Sequence, residues 1–274
     1  MPVDISTVIP SFRRPQQLRE SLDSVLGQRD VSLEVLVVDD SPEGSAQAVV
    51  ETLGDPRVRY LRNPHPSGGM PSRVRNLGWP LTSGRLVHFL DDDDRVAEGH
   101  YAAVNAEFAC YPSVGLMFGR VEPFGAGAAA QLEHERRYFA NAARKAATSN
   151  RFGTRWAFTA HMLFDIALLV CSASIVRRDC VVALGGFDPE IRLMEDAEFH
   201  VRVMREFGAR FLDRTALHYR IGSPSLMHSA EPSPQQLAQE LAGRRAMQSK
   251  YRARRGRLEF YLLAAVARGL LRLL

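Results

Sequence analysis

The 274-residue sequence predicts an α/β fold, a mostly parallel open sheet flanked by helices, and three observations carry that expectation. Short apolar runs alternate with helically spaced segments over the first 95 residues. Two of the runs, LEVLVVDDS (33–41) and LVHFLDDDD (86–94), are apolar until they end in aspartates, as strands buried on both faces are. Hydrophobic residues at 46% and charged residues at 24% exclude extensive disorder.

The elements follow in order. STVIPSF (6–12) reads as a short strand that breaks at Pro10. PQQLRESLDSVLGQ (15–28) places Leu18, Leu22, Val25 and Leu26 at helical spacing. LEVLVVDDS is the second strand, SAQAVVETLG (45–54) a short helix stopped by Gly54, and RVRYLRN (57–63) an alternating third strand. PSRVRNLGWPL (71–81) is helical and LVHFLDDDD is the fourth strand. Units of this length imply parallel crossovers, and such sheets bind ligands outside the carboxyl ends of their strands. Polar groups gather at three of those ends: Ser11–Arg14, Asp39–Asp40 and Asp91–Asp94. Farther on, VGLMFGRVEPFG (114–125) reads as a strand, whereas 126–165 has no assignable pattern. Residues 168–187 read as a strand, a turn and a short helix closed by Gly185–Gly186. MEDAEFHVRVMREFG (194–208) is a helix with Phe199, Val203 and Phe207 on one face, ARFLDRTALHYRI (209–221) a final strand pair, and the chain from about 231 helical and basic. The economical division is one domain over 1–230 and a helical tail over 231–274.

Charge and cysteines narrow the function. Thirty-five Lys and Arg against 31 Asp and Glu leave a net +4, too little to point to nucleic acid. Cys110, Cys171 and Cys180 form no close pairs, which argues against a disulfide framework or zinc ribbon and for a reducing, cytoplasmic setting. No signal-peptide pattern opens the chain, and no apolar run is long enough to span a bilayer. From Glu240 to Leu274 there are nine Lys and Arg and two Glu. The closing FYLLAAVARGLLRLL (260–274), with Arg268 and Arg272, reads as a basic amphipathic helix. Such a helix packs on its own domain, on a second copy in a homodimer, or peripherally on the inner face of an anionic membrane. No Walker motif, dinucleotide-binding glycine fingerprint or phospho-aspartate phosphatase pattern is present.

The strongest local signal is the run Asp91-Asp92-Asp93-Asp94. Adjacent carboxylates repel, and relief comes from a raised pKa or a divalent cation. Carboxylate oxygens suit Mg²⁺ and Mn²⁺, with water and phosphate completing the shell.

FLDDDDRV (89–96) also belongs to an ordered series. With STVIPSFRRPQQLRESLDSVLGQ (6–28), LEVLVVDDS, SRVRNLGW (72–79) and SASIVRRDCVVALGGFDPEIRLMEDAEFHVRV (172–203), the chain resembles family 2 glycosyltransferases over roughly residues 4–225. The resemblance implies a GT-A fold, with a nucleotide-sugar-binding half over 1–95 and an acceptor-side half over 96–230. It implies metal-dependent, inverting transfer of a sugar from a nucleotide-sugar donor, UDP-linked, to an unspecified acceptor, with Mn²⁺ or Mg²⁺ as cofactor. Asp40 would accept a hydrogen bond from the base, and Pro10 and Phe12 would pack against it. Arg14 and Arg75 would meet the diphosphate or the base, since guanidinium matches phosphate geometry. Asp93 would hold the metal. Asp91 or Asp92 would hold ribose or sugar hydroxyls or a metal-bound water, Asp91 being a second metal candidate, and Asp94 would cap the next helix. Asp196 would be the general base, ionised at a helix N-terminus, with Glu195 beside the acceptor. His218 would complete the metal site, and Arg220 would hold the diphosphate or a charged acceptor. Trp156 and His161 would form an acceptor wall; Ser225 and His228 carry weaker claims. Two alternatives stand: a polyprenyl-phosphate sugar synthase, whose ionised acceptor needs no base at Asp196, and a silent sugar-nucleotide-binding scaffold.

Overall fold

The computed structural model describes residues 2–152, 155–222 and 234–271; Ser225, His228 and Arg272 lie outside them. Strands β1 (Ile5–Ser11), β2 (Leu33–Asp39), β3 (Val58–Arg62) and β4 (Leu86–Phe89) run parallel in the spatial order β3-β2-β1-β4. Helices α1 (Pro15–Leu26), α2 (Gln47–Leu53) and α3 (Pro71–Gly78) connect them. The apolar run of β2 serves both faces of the sheet. Val35 and Val37 join the core under α1, and Leu36 and Val38 join the core under α3. Gly78 lets α3 lie close, because a Cβ there would stand 2.6 Å from Val8 Cγ1 and 2.9 Å from Val38 Cγ2.

The same sheet continues past β4 with β5 (Arg95–Val96), β6 (Leu116–Gly125), β7 (Ser174–Arg177) and β8 (Ala209–Ile221), in the order β4-β7-β6-β8-β5. β7 is antiparallel to both neighbours, and β8 is parallel to β6 but antiparallel to β5. The expected parallel sheet is therefore parallel in its first half and mixed in its second. Helices α4 (His100–Cys110), α5 (Ala129–Ser149), α6 (Trp156–Phe164), α7 (Arg178–Leu184), α8 (Glu195–Phe207), α9 (Pro234–Arg255) and α10 (Arg257–Leu271) complete the described chain.

Several expectations change. β1 does not break at Pro10: it continues to Ser11, with Pro10 paired to Val38. The β4 side of the ladder ends at Val8, so the missing N–H of Pro10 leaves no partner wanting. Residues 209–221 are one strand, not a pair. A bulge at Asp213–Arg214 shifts the register against β6 at Gly119–Arg120–Val121. The unassigned 126–165 stretch holds two helices, α5 and α6. No turn separates β7 from α7. In the tail, Gly256 at φ +85° breaks the helix into α9 and α10. Met247, Tyr251, Leu263, Ala267 and Leu270 bury in the same core as Phe158 and Met162 of α6. No helix among the described residues is long and apolar enough to cross a membrane.

Candidate active site

A cleft of about 480 Å³ opens at the carboxyl ends of β1, β2 and β4. Pro10, Ser11, Phe12, Arg14, Asp40, Arg75, Asp91, Asp92, Asp93, Glu195, Asp196 and Arg220 all line it. The sheet order explains the gathering, since β1 lies between β2 and β4 and their ends form one edge.

The acidic run and the Glu195–Asp196 pair are about a hundred residues apart in sequence and are tied together twice. Beneath them Phe89 of β4 packs edge-on against Phe187 at 4.8 Å and Phe199 of α8 at 6.1 Å, and Phe187 stacks on Phe199 at 4.4 Å. Above that cluster lies Arg75, 2% exposed. Its Nη2 donates to Asp91 Oδ1 at 2.6 Å and its Nη1 to Glu195 Oε1 at 2.9 Å. Arg75 was expected to meet the diphosphate or the base. Both ends of its guanidinium are committed to carboxylates, and its role in the structure is a strut between the two acidic segments.

The acidic turn is held from several sides. Asp91 N–H donates to Ser172 Oγ at 3.1 Å. Beneath, His88 Nε2 donates to the Ser172 carbonyl at 2.8 Å, which leaves Nδ1 to accept from the Tyr101 hydroxyl at 2.6 Å. Asp92 Oδ2 accepts from Phe12 N–H at 3.1 Å. Arg14 Nη1 stands 2.7 Å from Asp93 Oδ2 and 3.3 Å from Asp92 Oδ1. Asp94 does not cap a helix. It is buried, it accepts from Arg220 N–H at 3.0 Å, and α4 begins only at His100. The Arg220 guanidinium binds the Asp93 carbonyl at 2.8 Å and the Glu20 carboxylate, so it shores up the turn from the cleft lining. Burial pushes the Asp92 carboxyl up to about 7 and raises Asp93 and Asp94 as well.

Asp40 is closed in by its own chain. Its carboxylate accepts from Asn63 Nδ2 at 2.6 Å, Ser67 N at 2.8 Å, Ser67 Oγ at 2.8 Å and Gly69 N at 2.6 Å. Those four bonds fill its acceptor capacity, so a base N–H meets Asp40 only by displacing one of them. What Asp40 does here is fold the 63–69 loop against the cleft and set Gly69 on the Phe12 ring. Neighbouring Asp39 likewise organises the 41–46 turn, through Ser41 N at 2.9 Å and Ala46 N at 2.8 Å.

At the start of α8, Met194 sits at φ +64°, a left-handed conformation uncommon for a residue with a side chain. Glu195 is buried, and burial, with Asp196 beside it, pushes its carboxyl up to about 7. Asp196 is half-buried. One of its oxygens accepts from Ala197 N–H at 2.7 Å, and the other has no partner among the described residues.

Three expected residues are not brought here. His218 pairs with Glu122 at 3.6 Å and packs edge-on to Phe124, outside the cleft lining. The cleft takes the next two residues of β8, Tyr219 and Arg220, instead. Trp156 stacks under the Arg205 guanidinium at 4.4 Å, and His161 is fully buried beside Asp165 at 2.9 Å; neither lines the cleft. Other cleft residues were missed. Ser11 Oγ is buried without a hydrogen-bond partner among the described residues. Gly68 and Gly69, at φ +75° and +80°, form a turn that the SGG of 67–69 could have signalled. Arg192 is exposed at the rim and has no carboxylate partner among the described residues.

The site could hold a divalent cation. Among the described residues no three His, Cys, Asp or Glu side chains converge as a ready-made cage. Asp92 and Asp93 do present oxygens to one shared cationic nitrogen of Arg14. Two carboxylates completed by substrate phosphate and water are what Mg²⁺ and Mn²⁺ need, so the residues fit.

The family model described as Glycosyl transferase family 2 matches residues 6–167, more than half of the chain. The chain belongs to glycosyl transferase family 2. Among curated relatives, this family 2 chain is similar to a GalNAc(5)-diNAcBac-PP-undecaprenol beta-1,3-glucosyltransferase of Campylobacter jejuni, 34% identical over 35% of this chain and 31% of that protein. An uncharacterised Mycobacterium tuberculosis protein is 28% identical over 73% of this chain and 61% of its own length. The chain thus spans under two thirds of these relatives. Among solved structures, Staphylococcus aureus TarS 1-349 in complex with UDP-GlcNAc superposes with a TM-score of 0.67 at 18% identity, covering 98% of this chain and 72% of that one. The likeness shows the GT-A-like fold.

Proposed function

We infer that the chain is a metal-dependent, inverting glycosyltransferase that moves a sugar from a UDP-linked donor to an acceptor hydroxyl. The observation that carries this reading is the meeting, in one cleft, of the Asp91–Asp93 turn and the half-free carboxylate of Asp196. The relatives' names support the donor: another, from Escherichia coli, is a UDP-Glc-dependent glucosyltransferase, and TarS was solved with UDP-GlcNAc.

Asp196, not Glu195, suits the base. Glu195 spends its charge on Arg75, whereas Asp196 keeps an oxygen open to the cleft and sits in the first turn of α8. It takes the acceptor's proton as the oxygen attacks the anomeric carbon. On the donor side the Pro10–Phe12 edge, Ser11 Oγ and the Gly68–Gly69 turn frame the nucleoside, and Asp92 and Asp93 would hold the cation. Bound there, Mn²⁺ or Mg²⁺ would supply positive charge to the nucleoside diphosphate leaving group. The tail gives such an enzyme a place to work. Leu258, Tyr261 and Leu262 face outward on α10 at 77%, 60% and 49% exposure with Arg257 and Arg268 beside them, a face suited to an anionic bilayer.

Asp196→Asn is expected to abolish transfer while leaving Mn²⁺-dependent UDP binding, read by calorimetry, within a few-fold; Asp93→Ala is expected to lose that binding. Wild-type turnover by Asp196→Asn removes the base and favours the polyprenyl-phosphate reading. Binding without transfer to any acceptor, in the wild type, favours the silent scaffold.

A further inference from the structure

Three arginines touch the acidic turn, and they differ in how firmly they are held. Arg75 is 3% exposed in its side chain and bridges two carboxylates. Arg220 is 15% exposed and is tied to Glu20, to the Asp93 carbonyl and, through its own N–H, to Asp94. Arg14 is 33% exposed, and its partners include Asp92 and Asp93. Those are the two carboxylates assigned to the cation.

The backbone that launches Arg14 is fixed. Arg13 sits at φ +57°, Pro15 opens α1, and the Arg14 carbonyl accepts from Leu18 N–H at 3.0 Å. The side chain can therefore swing about a steady origin. A divalent cation and a guanidinium cannot both sit against the same two carboxylate oxygens, because like charges a few ångströms apart repel strongly in a partly buried site. A diphosphate entering beside the cation offers the displaced guanidinium a planar, bidentate partner.

We propose that Arg14 is an exchangeable counter-ion: it neutralises Asp92 and Asp93 in the cation-free chain and passes to the donor's diphosphate when a divalent cation takes those carboxylates. The second half rests on the nucleotide-sugar reading above; the first half does not. Arg14 is then a positioning residue for the carboxylates in one state and a ligand contact in the other. It ties cation uptake to donor uptake, since each makes room or provides a partner for the other.

The test separates the two halves. Mn²⁺ alone is titrated into the full chain without nucleotide, and free Mn²⁺ is followed by electron paramagnetic resonance. Arg14→Met is expected to bind Mn²⁺ about fivefold or more tightly than the wild type, with Arg14→Lys between them, because no ion pair has to be given up. At saturating Mn²⁺ the same Arg14→Met is expected to bind UDP about fivefold or more weakly. Unchanged or weaker Mn²⁺ affinity in Arg14→Met, or no Mn²⁺ uptake by either protein, overturns the proposal. Tighter Mn²⁺ binding with no UDP binding by either protein leaves the counter-ion standing and sinks the donor reading. Matching circular dichroism and melting curves establish that the variants fold.

Discussion

At the scale of single residues, Arg75 and His88 hold the acidic segments in place. Arg75→Met strands the Glu195 and Asp91 carboxylates, and breaking a buried pair of this kind costs about 3–5 kcal/mol. Urea denaturation is expected to show a loss of at least about 3 kcal/mol, with Arg75→Lys recovering only part because an ammonium cannot bridge both carboxylates in one plane. A loss below 1 kcal/mol means the strut is dispensable. His88 makes a pH prediction. Burial holds it near 4, below the 6.5 of a free imidazole. Above pH 6.5 it is neutral folded and unfolded, and its contribution is complete. As pH falls from 6.5 toward 4, only the unfolded chain takes the proton, so that contribution is lost. His88→Gln lacks this titration, so its stability gap to wild type is expected to narrow by up to about 3 kcal/mol between pH 7 and 4.5. A gap that does not change with pH places His88 in water. The sequence exposed the acidic residues readily, because clustered carboxylates at a strand end are costly without a purpose. It concealed what neutralises them: the pairing of Arg75 with Glu195 spans 120 positions, and no local pattern encodes it.

At the scale of elements, legibility followed periodicity. β2 and α1 were readable because each buries its own apolar pattern, on two faces and on one. The 126–165 stretch resisted because α6 is apolar nearly all round: Ala157, Phe158, Ala160, Met162 and Leu163 are all buried, so no polar face marks the turn of the helix. β8 misled because a bulge at Asp213 and Arg214 interrupts its alternation, so one long strand reads as a pair. Position within the sheet, and with it the fate of His218 and Arg220, follows from pairings between β8 and strands far away in sequence. The contact between α3 and the sheet is the place to test an element as a unit. Gly78→Ala drives a methyl into Val8 and Val38, and overpacking of this kind costs about 1–3 kcal/mol. Since α3 also carries Arg75, the variant is expected to lose activity beyond what its melting temperature explains; full activity at reduced stability separates the two roles.

At the scale of the whole molecule, the C-terminal helices have two sides with different duties. The inner side is core: Leu263 is fully buried, and Leu263→Ala is expected to cost about 3 kcal/mol in urea denaturation. The outer side is bare, so Leu262→Asp is expected to leave the melting temperature unchanged while lowering sedimentation with vesicles that contain anionic lipid. Equal vesicle binding by Leu262→Asp and wild type takes the membrane role from this face. The loop closed on Asp40 matters for the molecule's timing. Because that carboxylate already gathers Asn63, Ser67 and Gly69, the wall between β1 and β2 is shaped before anything arrives. A ligand entering there meets a wall already in place. Its arrival is set by diffusion and by the charge of the cleft, and discrimination among ligands falls to how fast each one leaves.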